Sequence, residues 1–191
     1  MPFDASSEIH DDALMVLYAN GDGEAARILA ARHTKRVLAL AYRMLQNQAA
    51  AEDVAQEAMI RLWKIAPEWR RGEAKVSTWL YRIASNLCLD QLRKKRGAAL
   101  DDIAEPEDDA ASVEEVMLHK TRVATLNEAM NELPERQKLA VTLRHLDEMA
   151  NPEIAEIMDI SVEAVESLTS RGKRTLRALL QGQEAKIGYG T

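Results

Sequence analysis

A stretch without hydrophobic periodicity divides this sequence and limits what it can fold into. Residues 101–115 contain eight acidic side chains, no basic or aromatic one, and a proline, Pro106. Such a segment cannot bury enough apolar surface to fold alone, which predicts an acidic, flexible linker at residues 97–111. The chain is therefore expected to form two small domains, at residues 1–96 and 112–191.

Both flanking segments show helical periodicity, so the expected fold class is all-α. Apolar side chains recur at steps of three and four residues, and Gly, Pro and capping residues separate the runs. Ser112-Val-Glu-Glu115 matches a capping box, and Ser77 and Ser161 are further candidate N-caps. The expected helices cover residues 11–20, 24–46, 49–66 and 77–97, then 112–132, 134–145, 152–158 and 161–180.

The last two of these helices predict a helix-turn-helix, because a brief turn joins them and the second becomes basic. A helix of this kind can enter the major groove of DNA, although a plain helical hairpin explains the same pattern. Gly172 costs about 1 kcal/mol relative to Ala inside a helix, which suggests that another group approaches closely there. The basic residues of the second helix are Arg171, Lys173, Arg174 and Arg177.

The stretch from Trp69 to Arg96 combines aromatic and basic residues. It begins with a polar loop at residues 70–75 and continues as a helix with a basic end. This combination suits unstacked bases and phosphates; the alternative is that the tryptophans are core and the basic end suits the helix dipole. The apolar stripe of the helix comprises Val76, Trp79, Leu80, Ile83, Ala84, Leu87 and Cys88, and its polar face carries Thr78, Arg82, Asn86 and Arg93.

The helix at residues 49–66 has an apolar face and a polar one. The polar face is either a solvated surface with helix-supporting charge pairs or a docking surface for a basic partner. Its residues are Glu52, Asp53, Gln56, Glu57 and Arg61.

Composition and motif content exclude several classes of protein. The net charge of −6 disfavours DNA binding by the chain alone, although acidic and basic residues are segregated along it. Neither a phosphate-binding glycine loop nor a Cys/His metal spacing occurs, so no enzymatic activity and no cofactor are expected. The single cysteine, Cys88, and the absence of a leader or an apolar span predict a cytoplasmic protein without membrane insertion.

Several motifs resemble those of bacterial sigma factors of the extracytoplasmic-function (ECF) group. Its first conserved block is similar to Ala51-Glu-Asp-Val-Ala-Gln-Glu-Ala58, Arg61-Leu-Trp-Lys64 and Ser77-Thr-Trp-Leu-Tyr-Arg-Ile-Ala84 with Asn86. Leu133-Pro-Glu-Arg136 and Glu153-Ile-Ala-Glu-Ile-Met158 resemble its second block, in family order across nearly the whole chain. Within the group, the sequence looks most like the sigma-E type of photosynthetic alphaproteobacteria, which is tied to the singlet-oxygen response.

The resemblance implies partners for the first domain. The polar face of the helix at residues 49–66 would dock on the clamp helices of the largest RNA polymerase subunit, through Glu52, Asp53, Gln56, Glu57 and Arg61. The loop at residues 70–75 would line a pocket for a base flipped from the −10 element of the promoter. The implied −10 contacts are Trp69, Arg70, Arg71, Lys75, Thr78, Arg82, Asn86 and Arg93.

For the second domain, the resemblance implies binding to the −35 element and to the flap of the second-largest polymerase subunit. Where family members usually carry basic residues, the last helix has Glu163, Glu166 and Leu168. Because a carboxylate can accept a hydrogen bond from a cytosine amino group, we expect an unusual −35 preference that includes cytosine. The implied −35 contacts are Ser161, Glu163, Glu166, Ser167, Ser170, Arg171, Lys173 and Arg174.

The resemblance also implies regulation by an anti-sigma factor, which in the sigma-E type binds zinc. Any zinc would then belong to the partner, because this chain lacks a ligand set. Two other functions remain compatible with the residues themselves. One is a free-standing helix-turn-helix regulator that binds duplex operators unaided, and the other is a helical adaptor that binds only proteins.

Overall fold

The computed structural model describes residues 9–98 and 114–181, and every regular element within those ranges is helical. They form two compact units, one built mainly of the helices before residue 99 and the other mainly of those after residue 113. The all-α fold class with two helical domains is therefore confirmed. Most of the predicted linker at residues 97–111, and Ser112 of the predicted capping box, lie outside the described residues.

The first unit contains α1 (Asp11–Ala19), α2 (Gly23–Leu45), α3 (Gln48–Ile65) and α4 (Val76–Ala98) as far as Gln91, with a short 3-10 helix (Ala66–Glu68) after α3. Side-chain caps fix two of the helix starts. The Asp22 carboxylate accepts hydrogen bonds from two backbone N–H groups of α2, and the Asn47 side chain accepts one from α3. Gln46 adopts a left-handed conformation, φ 51°, so that the chain reverses and α3 packs on α2.

The core of the first unit consists mainly of aliphatic side chains. The helix α1 packs on α2, and α2 packs on α3. Burying a side chain of this size contributes about 1.5–3 kcal/mol relative to leaving it exposed. The largest fully buried members are Leu14, Met15, Leu29, Val37, Leu40, Met44, Leu62 and Leu80.

The buried face of α4 is rotated relative to the predicted apolar stripe. Thr78 and Tyr81 are buried, with 5% and 6% of their surfaces exposed, whereas Trp79, Ile83 and Leu87 are only half-buried. The placement of Thr78 on the exposed polar face was therefore wrong. Helical spacing permits either stripe, and the large ring of Trp79 packs instead against another indole at the edge of the unit.

The second unit contains α5 (Glu114–Asn131), α6 (Glu135–Val141), a π-helical turn (Thr142–Leu146), the first half of α7 (Asn151–Met158) and α8 (Val162–Gln181), while residues 155–160 group with the first unit. The helix expected at residues 134–145 is thus an α-helix followed by a π turn. The predicted short turn between α7 and α8 is confirmed, and Asp159 within it has a left-handed backbone, φ 53°. Both α5 and α6 pack on α8.

Gly172 of α8 lies directly against α6. A Cβ atom built on this residue would lie 2.6 Å from Cγ2 of Val141 and 3.5 Å from the carbonyl oxygen of Gln137. Real Cβ contacts are essentially never as short as the first of these distances. The close approach expected at Gly172 is confirmed, and it explains why a residue with low helix propensity stands inside α8.

Candidate functional site

The polar face of α3 is open to solvent. Glu52, Asp53, Gln56 and Arg61 are exposed, and the side chain of Glu57 retains 43% of its surface. Two of the acidic groups have partners on the same helix: Gln48 Nε2 donates to Glu52 over 2.6 Å, and Arg61 Nε donates to Glu57 over 2.7 Å. Exposed pairs of this kind contribute little stability, so they leave this face available to a partner.

The loop at residues 70–75 projects from the first unit between the 3-10 helix and α4. All six of its residues are exposed, and Gly72 has φ +83°, a conformation that favours glycine. Arg70 forms an exposed ion pair with Glu73 at 3.4 Å. Arg70, Arg71 and Lys75 thus present cationic side chains on a short, exposed loop.

Trp69 lies at the start of this loop and is only half-buried. Its indole Nε1 donates a hydrogen bond to Asp12 Oδ1 of α1 over 2.9 Å. The ring also contacts Trp79 of α4 edge to face, with centroids 6.1 Å apart and an interplanar angle of 84°. The only hydrogen-bond donor of the indole is therefore engaged within the protein, and its ring is held against another ring.

Beyond the loop, α4 continues with an exposed polar side. Arg82, Asn86 and Arg93 are exposed and recur at steps of four and seven residues, which places them along one side of the helix. Buried Thr78 is not accessible on this side. The cationic loop and this row of hydrogen-bonding side chains are therefore all exposed, and they follow each other along the chain.

The helix α1 holds polar residues that the sequence analysis did not identify. Asp11 accepts hydrogen bonds at 2.7 Å from Arg32 Nη1 and lies 2.7 Å from His33 Nε2, both on α2. The hydrogen bond with His33 lowers the pKa of Asp11 most, burial opposes this, and Arg32 lowers it further. No local sequence signal marks these partners, because more than twenty residues separate them along the chain.

A cleft of about 410 Å³ lies beside these groups. It is bounded by the first turn of α1 and by the junction between the loop and α4. Its walls therefore carry both carboxylates, from α1, and cationic side chains, from Arg32 of α2 and Lys75 of the loop. The lining residues are Ile9, His10, Asp11, Asp12, Arg32, Lys75, Val76 and Ser77.

In the second unit, the start of α8 is polar and exposed. The Ser161 hydroxyl accepts a hydrogen bond from the backbone N–H of Ala164, which confirms Ser161 as the N-cap. Glu163 is fully exposed, and hydrogen bonds from its own backbone and then from Ser161 lower its pKa. Exposed Glu166 lies 3.5 Å from Asn151 Nδ2 at the start of α7. Two carboxylates therefore occupy the accessible side of the first turns of α8.

The later turns of α8 face a basic groove of about 490 Å³. Sequence analysis identified most of its α8 residues but not Thr169, and it assigned no DNA-binding role to Arg144, His145 or Asn151, which come from the π turn and α7. The predicted contact Ser167 is half-buried and does not line the groove, whereas Arg171 is exposed nearby on α8. The groove is lined by Arg144, His145, Asn151, Glu166, Thr169, Ser170, Lys173, Arg174 and Arg177.

Charge in this groove comes from side chains other than histidine. Partial burial lowers the pKa of His145, and the positive charges of Lys173 and Arg144 lower it further. At neutral pH the imidazole is therefore mainly uncharged, while the four Arg and Lys side chains of the groove are charged. A cationic groove beside a helix with exposed polar residues is suited to the phosphates and bases of duplex DNA.

Neither a metal site nor a membrane span occurs in the described parts of the chain. No cluster of three or more His, Cys, Asp or Glu side chains there could hold a metal ion. No helix in those ranges is long and apolar enough to cross a membrane.

Two family models match separate parts of the chain. The family described as Sigma-70 region 2 matches residues 29–98, and the family described as Sigma-70, region 4 matches residues 124–176. The ECF RNA polymerase sigma factor SigW of Bacillus subtilis is 33% identical over 172 residues, covering 84% of this chain and 91% of the relative. The RNA polymerase sigma-H factor of Pseudomonas aeruginosa is 31% identical, covering 90% and 94%.

A solved structure has the same fold along most of the chain. CnrH, determined in complex with the cytosolic domain of CnrY, superposes with a TM-score of 0.67 at 25% identity, covering 90% of this chain and 97% of that one. The two family matches fall on α2–α4 and on α5–α8, which carry the surfaces described above. Sigma factors are non-enzymatic initiation factors that direct RNA polymerase to promoters, so the expectation of a non-enzyme is confirmed. The chain belongs to the ECF group of the sigma-70 family of RNA polymerase sigma factors.

Proposed function

We propose that this sigma factor opens promoters by binding the −35 element with α8 and holding the melted −10 strand with the loop at residues 70–75 and the exposed side of α4. The observation that carries this proposal is the joint exposure of the cationic loop and of Arg82 and Asn86 on one stretch. Single-stranded DNA exposes its base edges as well as its phosphates, so hydrogen-bonding and cationic side chains on one surface suit a melted strand.

The face of α3 would supply the contact with core polymerase. Asp53 and Gln56 are exposed, and their neighbours Glu52 and Glu57 are engaged only in surface pairs that a partner can exchange. This acidic face suits basic residues on the clamp helices of the largest subunit, and the second unit would meet the flap of the second-largest subunit. The net charge of −6 fits a factor that depends on polymerase for its affinity for DNA.

Selectivity at the −35 element would come from the first turns of α8. Glu163 and Glu166 are exposed, and the lowered pKa of Glu163 keeps its carboxylate ionised. Ionised carboxylates accept hydrogen bonds from cytosine N4 in the major groove. The groove behind them would bind phosphates of the same duplex through Arg144, Lys173 and Arg174.

Regulation would come from an anti-sigma factor that covers the polymerase-binding surfaces. One solved relative, RpoE of Bartonella quintana, was determined in complex with the anti-sigma factor NepR. The resemblance to the sigma-E type of photosynthetic alphaproteobacteria supports a cytoplasmic protein in the singlet-oxygen response, with an anti-sigma partner that binds zinc. This assignment is tested by purifying the chain together with its partner from a photosynthetic alphaproteobacterium and measuring the zinc content of the complex.

Transcription in vitro tests the main proposal. The full chain is added to bacterial core polymerase with a library of templates randomised at the −35 and −10 elements, and the transcripts are sequenced. A sigma factor yields start sites with shared −35 and −10 sequences only when both proteins are present. Footprints by the chain alone would instead indicate a free-standing regulator, and no selected transcripts under any condition would refute the proposal.

Two variants separate the roles of α3 and α4. We expect Asn86→Ala to lower the yield of open complexes while leaving the affinity for core polymerase unchanged. Gln56→Ala, an exposed amide on the other helix, should do the reverse and lower core affinity. An equal loss of both properties in either variant would mean that the residue acts only on folding.

A further inference from the structure

We propose that the first turn of α1 positions the loop at residues 70–75 for the melted strand, through the hydrogen bond between Asp12 and Trp69. This inference rests on the proposed function of the loop. It assigns to α1 a part in −10 recognition that neither the sequence motifs nor the matched family ranges include, since the region 2 match begins at residue 29.

The first turn of α1 is itself firmly attached. Arg32 Nη1 donates to both the carboxylate of Asp11 and the carbonyl oxygen of Ile9, each over 2.7 Å, and His33 Nε2 lies 2.7 Å from the other oxygen of Asp11. Leu14 and Met15, one turn later, are 1% and 0% exposed. Asp12 is thus carried by a backbone that is fixed on α2 without any help from the loop.

From this position Asp12 reaches the start of the loop. Its carboxylate accepts the indole N–H of Trp69 over 2.9 Å, a contact between residues 57 positions apart. Hydrogen bonds to a charged acceptor are shorter and stronger than neutral ones. On its other side the indole meets Trp79 of α4 edge to face. The residue before the loop is therefore held between two helices.

The other end of the loop is fixed as well, because Val76 at the start of α4 is 1% exposed. Between these two attachments the loop is exposed, and Gly72 permits its left-handed turn. When both ends of a loop are held in place by packing, the loop loses less conformational entropy on binding a base than a loop with one mobile end. Trp69 therefore acts as an anchor for the base-binding loop, with its donor engaged by Asp12.

Three variants test this role in the full-length protein assembled with core polymerase. The probe is a fluorescent fork-junction DNA that carries, as single strand, the −10 sequence selected by the wild-type holoenzyme. We expect Asp12→Ala to weaken binding of this probe roughly tenfold, the effect of losing one hydrogen bond to a charged group. Trp69→Phe, which keeps a ring but removes the donor, should lose a similar factor, and Asp12→Asn, which keeps an oxygen acceptor but loses the charge, should recover part of it.

The double variant Asp12→Ala/Trp69→Phe distinguishes a direct bond from two separate effects. If the two groups act through one hydrogen bond, the double variant binds the fork probe no more weakly than either single variant. Core affinity should be unchanged in all of them. The matched control is Glu24→Ala, which removes an exposed carboxylate paired with Arg27 in the same unit and should bind normally.

The possible results separate this inference from the function on which it rests. Binding by Asp12→Ala within twofold of wild type would overturn the inference while leaving the proposed function intact. So would equal losses in Asp12→Ala and Asp12→Asn, or a parallel loss of core affinity, since each would point to charge or folding and not to positioning. If the wild-type holoenzyme selects no −10 sequence and binds no fork probe, both proposals fall together.

Discussion

The close contact between α6 and α8 makes Gly172→Ala an informative substitution. Elsewhere in a helix, Gly→Ala stabilises by about 1 kcal/mol. Here the new methyl group would lie 2.6 Å from Cγ2 of Val141, which is only 4% exposed and cannot move into solvent. Overpacking of this kind costs about 1–3 kcal/mol, so we expect a net loss of about 0–2 kcal/mol in the free energy of unfolding.

The distribution of tryptophan allows the effect to be assigned to one unit. All three tryptophans, at positions 63, 69 and 79, belong to the first unit. Tryptophan fluorescence therefore follows unfolding of the first unit, while far-ultraviolet circular dichroism follows the helices of both. In chemical denaturation, Gly172→Ala should shift the circular dichroism transition of the second unit to lower denaturant and leave the fluorescence transition unchanged.

Gly97→Ala is the matched control, since a Cβ there would meet nothing within 4 Å apart from its chain neighbours and the backbone of its own helix. It should stabilise α4 by up to about 1 kcal/mol. A second check is the pair Gly172→Ala/Val141→Ala, in which removal of Cγ2 makes room for the new methyl group. Its destabilisation should be smaller than the sum of the two single effects. If Gly172→Ala stabilises the protein as much as Gly97→Ala does, the close approach does not determine the residue at this position.

Three further results are expected. Because the pKa of Asp11 is lowered in the folded state, its contribution to stability is complete above the ordinary pKa near 3.8 and is lost as the pH falls through the pKa of the folded state. Acid titration followed by tryptophan fluorescence should show this loss of stability, and Asp11→Asn should remove that part of the pH dependence. A DNA phosphate in the basic groove should raise the lowered pKa of His145, which NMR titration with promoter DNA can measure, and an unchanged value would contradict phosphate binding there. Glu166→Ala should change the base preferred at one or more −35 positions in the template library, and identical selected sequences would remove its role in selectivity.

Most of the helices could be predicted because their signals are local. Periodic apolar residues, Pro67 and the N-cap Ser161 lie within a few positions of the boundaries that they set. Gly172 was informative for the same reason, since a glycine inside a helical run has a known cost, and the structure supplied the neighbour that explains it.

The parts that could not be predicted depend on distant neighbours. The choice of buried face on α4 was wrong at Thr78 because two stripes of similar hydropathy fit the same helical period, and only packing selects one. The role of Asp12 was missed because its partner, Trp69, lies 57 residues away. Arg144 and His145 were missed because a π turn, and no periodic pattern, directs them towards α8.

The division of labour along α8 has a consequence for how this protein can evolve. Its buried positions, Val165, Thr169 and Gly172, follow each other at steps of four and three residues, and the exposed carboxylates Glu163 and Glu166 lie between or before them. Substitution at the exposed positions should therefore leave undisturbed the packing that keeps the helix in place. If α8 binds the −35 element as proposed, gene duplicates of this sigma factor can diverge towards different promoters through single surface substitutions, each tolerated by an unchanged core.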